Sequence, residues 1–306
     1  MDARILDLPF DASTLKGLSD PLLRSHHANN YGGAVKRLNL IRQQLHALPF
    51  GSSPGFQLNG LKREELMATN SMLLHELYFD CLGSDDHPMT PAMSLALQAS
   101  FGSVERWREE FIAMGKALGG GSGWVLLTYQ PREGTLVNQW AADHTHAIAG
   151  GIPILALDMY EHAYHMDYGA AAGNYVAAFM ENINWKGVYE RYQRAVEGSS
   201  EAFAASSDEL QGARLVDVRR AGVFEQAKSI IPGAKWCDPQ AVDVWGALLP
   251  KDAPVVVYCV YGHEVGRSTA VRLRAAGVNA RFLRGGIDAW AAAGKPLETK
   301  EGLASK

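Results

Sequence analysis

Ile152-Pro-Ile-Leu-Ala-Leu-Asp-Met-Tyr-Glu-His-Ala-Tyr164 changes its period halfway along. The first six residues form an apolar run fit for a buried strand, and the remainder continues at helical spacing. Asp158 closes the strand and His162 lies one helical turn later, so a carboxylate and an imidazole can reach one transition-metal ion. The same segment also reads as a capping box, because Glu161 follows Asp158 by three positions.

Upstream, Trp124-Val-Leu-Leu-Thr-Tyr and Gly134-Thr-Leu-Val-Asn-Gln-Trp read as two more strands, joined by Pro131-Arg-Glu-Gly. Residues 103–118 precede them as a helix with Ser103 as N-cap and Arg106 aligned with Glu110. Before that comes a long amphipathic helix whose apolar set is Leu66, Leu73, Leu74, Leu77, Tyr78, Cys81 and Leu82, ended by Gly83-Ser-Asp-Asp-His-Pro. Residues 48–60 are rich in breakers and read as a loop. Residues 12–47 read as two helical stretches, the first carrying Leu15, Leu18, Leu22 and Leu23, the second Val35, Leu38, Ile41 and Leu45. Helices resume across 161–195. Residues 1–195 are therefore expected to form an α+β domain of helices around a small antiparallel sheet.

Residues 196–209 shift to small and polar types and read as a linker. Beyond it, strands at 214–218, 254–258 and 280–283 alternate with helical text at 266–276 and 287–293. Buried apolar strands separated by helices predict a parallel α/β sheet over residues 210–300.

At 306 residues the chain is long enough for two such domains, and 47% hydrophobic with 20% charged residues is a globular balance. A net charge of -4 and the lack of any Lys/Arg block argue against nucleic acid or an anionic membrane as partner. No apolar run reaches the roughly 18 residues of a membrane span. The start lacks the features of a secretory signal, and three scattered cysteines, Cys81, Cys237 and Cys259, do not make a disulfide scaffold. A cytoplasmic location is the expectation.

Three further histidines bear on the metal reading. His75 lies on the long apolar helix, where a lone imidazole reads as a satisfied core residue or as a ligand. His26 and His27 precede the second helix of the hairpin, where a polar residue also suits simple exposure. Three imidazoles and one carboxylate are the ligand mix suited to iron or manganese with a position left open. In the second domain, Cys259 ends the strand Val255-Val-Val-Tyr and enters a loop leading to a helix. Backbone N–H groups and the positive helix end would lower the thiol pKa there; a buried inert cysteine is the other reading.

Leu18-Ser-Asp-Pro-Leu-Leu-Arg-Ser-His-His-Ala-Asn-Asn-Tyr-Gly-Gly-Ala-Val-Lys-Arg-Leu-Asn is similar, without gaps, to the N-terminal helical hairpin of iron/manganese superoxide dismutases. His75-Glu-Leu-Tyr-Phe-Asp-Cys-Leu, Ala99-Ser-Phe-Gly-Ser, Gly121-Ser-Gly-Trp-Val and Asp158-Met-Tyr-Glu-His-Ala-Tyr resemble further segments of that family, in the family's order. The resemblance covers about residues 4–195. It implies His26, His75, Asp158 and His162 as ligands of one iron or manganese ion per subunit, superoxide as substrate, and a homodimer through this domain. Glu161 would reach the partner subunit, while Tyr78 and Trp124 would line the site or serve as plain core aromatics.

The resemblance also marks departures. Where the family has a tyrosine guarding the channel, the alignment gives Ala34; beside it a family histidine is Asn30, with Tyr31 next along as a partial substitute; a tyrosine that meets that histidine across the dimer is His165. Ser71 is too short to hydrogen-bond metal-bound solvent, whereas His144 or His146 could, unless both are ordinary loop residues. Metal choice is left open.

Leu215-Val-Asp-Val-Arg, Ile231-Pro-Gly-Ala, Val257-Tyr-Cys and Leu283-Arg-Gly-Gly-Ile-Asp-Ala-Trp resemble rhodanese domains over about 205–298. That implies Cys259 as a catalytic persulfide carrier serving a small sulfur donor or thiol acceptor. The Cys259–Arg267 loop is longer than the common sulfurtransferase loop, and longer loops in relatives accommodate bulkier oxyanions. The rival expectation is a sulfurtransferase or redox-sensing protein whose first half is a metal-binding dimerisation module with little turnover.

Overall fold

The computed structural model describes residues 2–83 and 88–300. The breaker run read after the long helix, Ser84 to His87, lies outside the described residues. Helix α1 (Asp20–Ser25), a π-helical turn (His26–Tyr31) and α2 (Gly32–Ala47) follow one another without a break. The widened turn is recorded by the Gly32 N–H donating to the carbonyl of His27, five residues back. Two helical stretches were expected here; instead Ser19 caps a single rod, and Leu15 and Leu18 pack as buried residues ahead of it.

Helix α3 (Gly55–Asp80) runs back along α2 and begins inside the segment expected to be a loop. Pro54 supplies its N-cap backbone, so the breakers start the helix rather than prevent it. Leu66 and Leu73, read as part of its apolar face, are about half exposed. Next come α4 (Pro91–Phe101), capped by Thr90, and α5 (Val104–Ala117), capped by Ser103 as expected.

Strands β1 (Trp124–Gln130), β2 (Thr135–Ala141) and β3 (Ile152–Asp158) form an antiparallel sheet in the order β2-β1-β3. Six consecutive residues of β1 are buried, because α5 and the later helix at 185–200 also pack on this strand. Register puts Trp124 opposite Asp158, which delivers both to one end of the sheet. Helices α6 (His165–Tyr168), α7 (Ala172–Glu181) and α8 (Trp185–Ser200) complete this part.

The second sheet is assembled from β4 (Ala204–Ala205), β5 (Arg214–Asp217), β7 (Lys235–Trp236), β8 (Val255–Tyr258) and β9 (Ala280–Leu283), all parallel in the order β4-β9-β8-β5-β7. Around it lie α9 (Ala221–Gln226), α10 (Val242–Gly246), α11 (Glu264–Ala275) and α12 (Gly286–Ala292), while β6 (Ser229–Ile230) pairs with β10 (Glu298–Thr299). Separate apolar clusters cover its two faces, one around Val257 and Phe282, the other around Tyr258 and Leu283. Residues 196–209, read as a linker, hold the last turn of α8 and the edge strand β4. Their polar composition reflects an exposed helix end and a two-residue strand, which supply little apolar pattern.

The two parts pack together. Helix α8 lies against α11, Arg272 donates to the carbonyl of Ala99 at 3.0 Å, and Gln240 donates to Gln98 at 2.7 Å. Among the described residues no helix is long and apolar enough to cross a membrane.

Candidate metal centre

Four side chains from three distant segments converge at the open end of the first sheet. Asp158 arrives at the end of β3, His26 from the π-helical turn, His75 from α3, and His162 from the turn after β3. Asp158 Oδ2 lies 3.2 Å from Nε2 of both His26 and His162, and 3.5 Å from Nε2 of His75. The four ligating atoms all fall within 4.8 Å of one another. His26, His75 and Asp158 are buried, while His162 is partly exposed. His26 is therefore not the exposed polar residue that its place before the second helix allowed.

The electrostatics fit a cation. Burial pushes the imidazole of His75 down to about 3 and lowers that of His26, which favours neutral rings. Burial would raise the Asp158 carboxyl, but His162 and His26 outweigh it and hold the group well below the usual carboxylate range. His75 Nδ1–H donates to the carbonyl of Ser71 at 2.6 Å, so Nε2 carries a lone pair. That lone pair faces His162 Nε2 at 3.4 Å and Asp158 Oδ2 at 3.5 Å. A proton on His162 Nε2 can be shared with only one of the two acceptors, His75 Nε2 and Asp158 Oδ2, whereas a metal ion would be met by all four ligating atoms.

The capping-box reading fails in the structure. Asp158 Oδ1 accepts from the N–H of Tyr160 at 2.8 Å, two residues on, and Glu161 is exposed. The chain leaves β3 through a tight turn in which the carboxyl is already committed to Tyr160 and the imidazoles.

Around the four, Trp124 Nε1–H donates to His144 Nδ1 at 3.0 Å, and the His144 ring stacks on Tyr160 at 4.9 Å. Tyr160 in turn stacks on His162 at 5.4 Å. His146 is elsewhere: exposed, it accepts from the N–H of Ala142 and packs near Trp140. Tyr78 packs its ring 5.1 Å from that of His26, and its hydroxyl lies 3.3 Å from that of Tyr175. Tyr31 does not replace what Asn30 lacks, because its hydroxyl donates to Glu76 and accepts from the N–H of Leu6. Asn30 and Ala34 line a cavity of about 460 Å³ together with Arg37, Ser71, His144 and Tyr160. His165 is exposed.

Tyr160 and Tyr175 escaped the sequence reading. Tyr160 stands inside the quoted Asp158–Tyr164 motif and had a signal. Tyr175, whose hydroxyl donates to the Asp158 carbonyl at 2.7 Å, had none nearby.

Cys259 sits at the end of β8, buried, with its loop threaded under Gly286. Gly286 has φ +60°, and a Cβ there would collide with the carbonyls of Cys259 and Val260, so only glycine fits. Contrary to the expected acidic thiol, burial pushes the Cys259 thiol above its ordinary range. N–H groups of Gly266, Gly262 and His263 pull it down by less, and the Glu264 carboxylate opposes them. Arg267 does not line the thiol's pocket. Its guanidinium donates to the carbonyl of Gly262 at 2.9 Å and to Glu201 at 2.8 Å, and covers the Phe282 ring.

Comparison with known proteins matches these two centres. The iron/manganese superoxide dismutase C-terminal domain matches residues 89–191, and the rhodanese-like domain matches residues 200–293. A protein of Cupriavidus metallidurans named iron superoxide dismutase is 63% identical over 186 residues, covering 61% of this chain and 94% of the relative.

The chain belongs to the iron/manganese superoxide dismutase family.

A protein of Haloferax volcanii named manganese superoxide dismutase 1 is 34% identical over 204 residues, covering 64% of this chain and 98% of the relative. One of Aquifex pyrophilus named iron superoxide dismutase is 31% identical over 191 residues, 60% and 88% of the two chains. Each accounts for the first part of the chain, and the rhodanese-like domain follows as an addition to the dismutase family's length.

Proposed function

We propose that this chain is a superoxide dismutase with an appended rhodanese-like domain. The observation that carries the reading is the approach of three imidazole Nε2 atoms to Asp158 Oδ2 at 3.2–3.5 Å. His26, His75, Asp158 and His162 would hold one iron or manganese ion per chain. When bound, that ion supplies one-electron cycling between two valences, which zinc does not offer. Overall, two superoxide anions and two protons give dioxygen and hydrogen peroxide.

The protein's part is to hold and hydrogen-bond. The Ser71 carbonyl fixes the tautomer of His75, and the Tyr160 N–H holds Oδ1 of Asp158 so that Oδ2 faces the imidazoles. Trp124 occupies Nδ1 of His144, leaving that ring's proton on Nε2 as a donor for the site. Superoxide would enter through the cavity beside Ala34.

A homodimer is part of the proposal, and the exposure of Glu161 and His165 on one chain is compatible with it. Three free cysteines suit a cytoplasmic location. We assign residues 1–195 to the dismutase domain, 196–209 to the connection and 210–300 to the rhodanese-like domain, with Cys259 as its reactive group toward a small sulfur donor or thiol acceptor. A rival is favoured by Ala34 and by the commitment of Tyr31 to Glu76: a sulfurtransferase or redox sensor whose first half binds metal without useful turnover.

The test is superoxide consumption by protein loaded separately with iron and with manganese, beside an Asp158→Ala control. The dismutase reading expects at least one loaded form to consume superoxide and the control to be inert. Bound metal with no consumption in either form would favour the rival.

A further inference from the structure

The pocket over Cys259 has walls from both domains. Ala92 at the start of α4 and Tyr189 on α8 form one side; Arg220, Val260, Tyr261 and His263 are on the other. It is a small space of about 190 Å³. Arg220, which makes no ion pair among the described residues, lines this space together with the Glu264 carboxylate.

Tyr189 is tied to the loop that carries the thiol. Its hydroxyl donates to Glu264 Oε1 at 2.8 Å, and Gln193, one turn on, donates to Oε2 at 3.1 Å. Glu264 is only 8% exposed, so both oxygens of a buried carboxylate are satisfied by the first domain. Such a carboxylate is held firmly, because losing either donor leaves an unpaired buried group. Glu264 opens α11, and two residues further on Gly266 lies so near that a Cβ would sit 3.3 Å from Cys259 Sγ. Moving α8 therefore moves the wall and the loop together.

We propose that Tyr189 is a specificity-determining residue of the Cys259 pocket, through which the dismutase-family half limits that thiol to small reactants. This rests on the reading of Cys259 as the reactive group of the rhodanese-like domain. The longer Cys259–Arg267 loop does not enlarge the pocket for bulky oxyanions or protein thiols, because the first domain occupies that space.

The test compares two probes of one chemistry on the full chain, iodoacetamide and 5-iodoacetamidofluorescein, with labelling of Cys259 read by peptide mass spectrometry. In both the thiolate sulfur displaces iodide, and because the substitutions leave the protein's charge unchanged, the change in rate ratio between variants reports bulk. In wild type the bulky probe is expected to lag. Tyr189→Ala should raise its rate relative to iodoacetamide at least about tenfold, equivalent to ~1.4 kcal/mol of steric exclusion. Tyr189→Phe keeps the ring and should keep the wild-type ratio. Ala92→Phe retains the Tyr189–Glu264 bond while adding bulk beside Tyr189 on the first domain's wall, and should slow both probes. Equal labelling of wild type by the two probes, or an unchanged ratio in Tyr189→Ala together with no slowing in Ala92→Phe, would overturn the proposal. Sulfur transfer from thiosulfate is measured separately: its absence alongside the expected probe ratios sinks the sulfurtransferase reading and leaves the size limit standing.

Discussion

The indole Nε1 of Trp124 donates to Nδ1 of His144 at 3.0 Å, and this one bond decides where the His144 proton lies. With Nδ1 accepting, the neutral ring carries its hydrogen on Nε2, and burial lowers the imidazole pKa so that the neutral form persists. His144, whose ring centroid lies 6.1 Å from that of His75, thus carries its one N–H on a defined nitrogen.

Substituting His144 by alanine should leave metal content unchanged while reducing superoxide turnover by about 10–100-fold, the usual cost of losing a hydrogen-bonding partner around a metal. Trp124→Phe removes the indole donor along with part of a buried ring, and should act in the same direction, more weakly. Metal analysis with turnover measured on the same samples checks this. Turnover at the wild-type level in His144→Ala would assign the donor role elsewhere.

The Cys259 thiol titrates high because burial penalises the thiolate more than the N–H groups of Gly266, Gly262 and His263 favour it. A thiol with a raised pKa is mostly protonated at neutral pH, and its thiolate fraction grows tenfold per pH unit until that pKa is passed. Alkylation by iodoacetamide should therefore rise steadily from pH 7 through pH 9 without levelling. A plateau already reached at neutral pH would show that the helix end and loop N–H groups prevail.

Arg267 ties the Cys259 loop to its surroundings through the carbonyl of Gly262, Glu201 and the ring of Phe282. Arg267→Ala leaves that carbonyl without its donor and removes the stacked cation, at a cost of about 2–4 kcal/mol. The urea midpoint should fall by about 1 M or more. A loss of Cys259 reactivity at unchanged stability would instead place Arg267 in contact with the reactant.

The sequence made some features plain and hid others for physical reasons. Strands β1, β2 and β3 were legible because each is a short run of mainly apolar and β-branched residues entered from a glycine-bearing turn, and α5 because Ser103 marks its start. The two-residue strands β4 and β7 had too few residues to show any period. His26 and Asp158 are 132 residues apart, so no local pattern brings them together; only the ordered resemblance did. The bond between Tyr189 and Glu264 was invisible, since it forms only once two separately patterned domains dock. The thiol pKa of Cys259 was misjudged from its place at a helix start, because sequence shows the nearby N–H groups but not the depth of burial.

The most direct test of the account is anomalous X-ray scattering from crystals of iron-loaded and manganese-loaded protein, collected at each metal's absorption edge. One peak per chain is expected, about 2 Å from Nε2 of His26, His75 and His162 and from a carboxylate oxygen of Asp158. A peak bound to other residues, or loaded protein with no peak among these four, would contradict it.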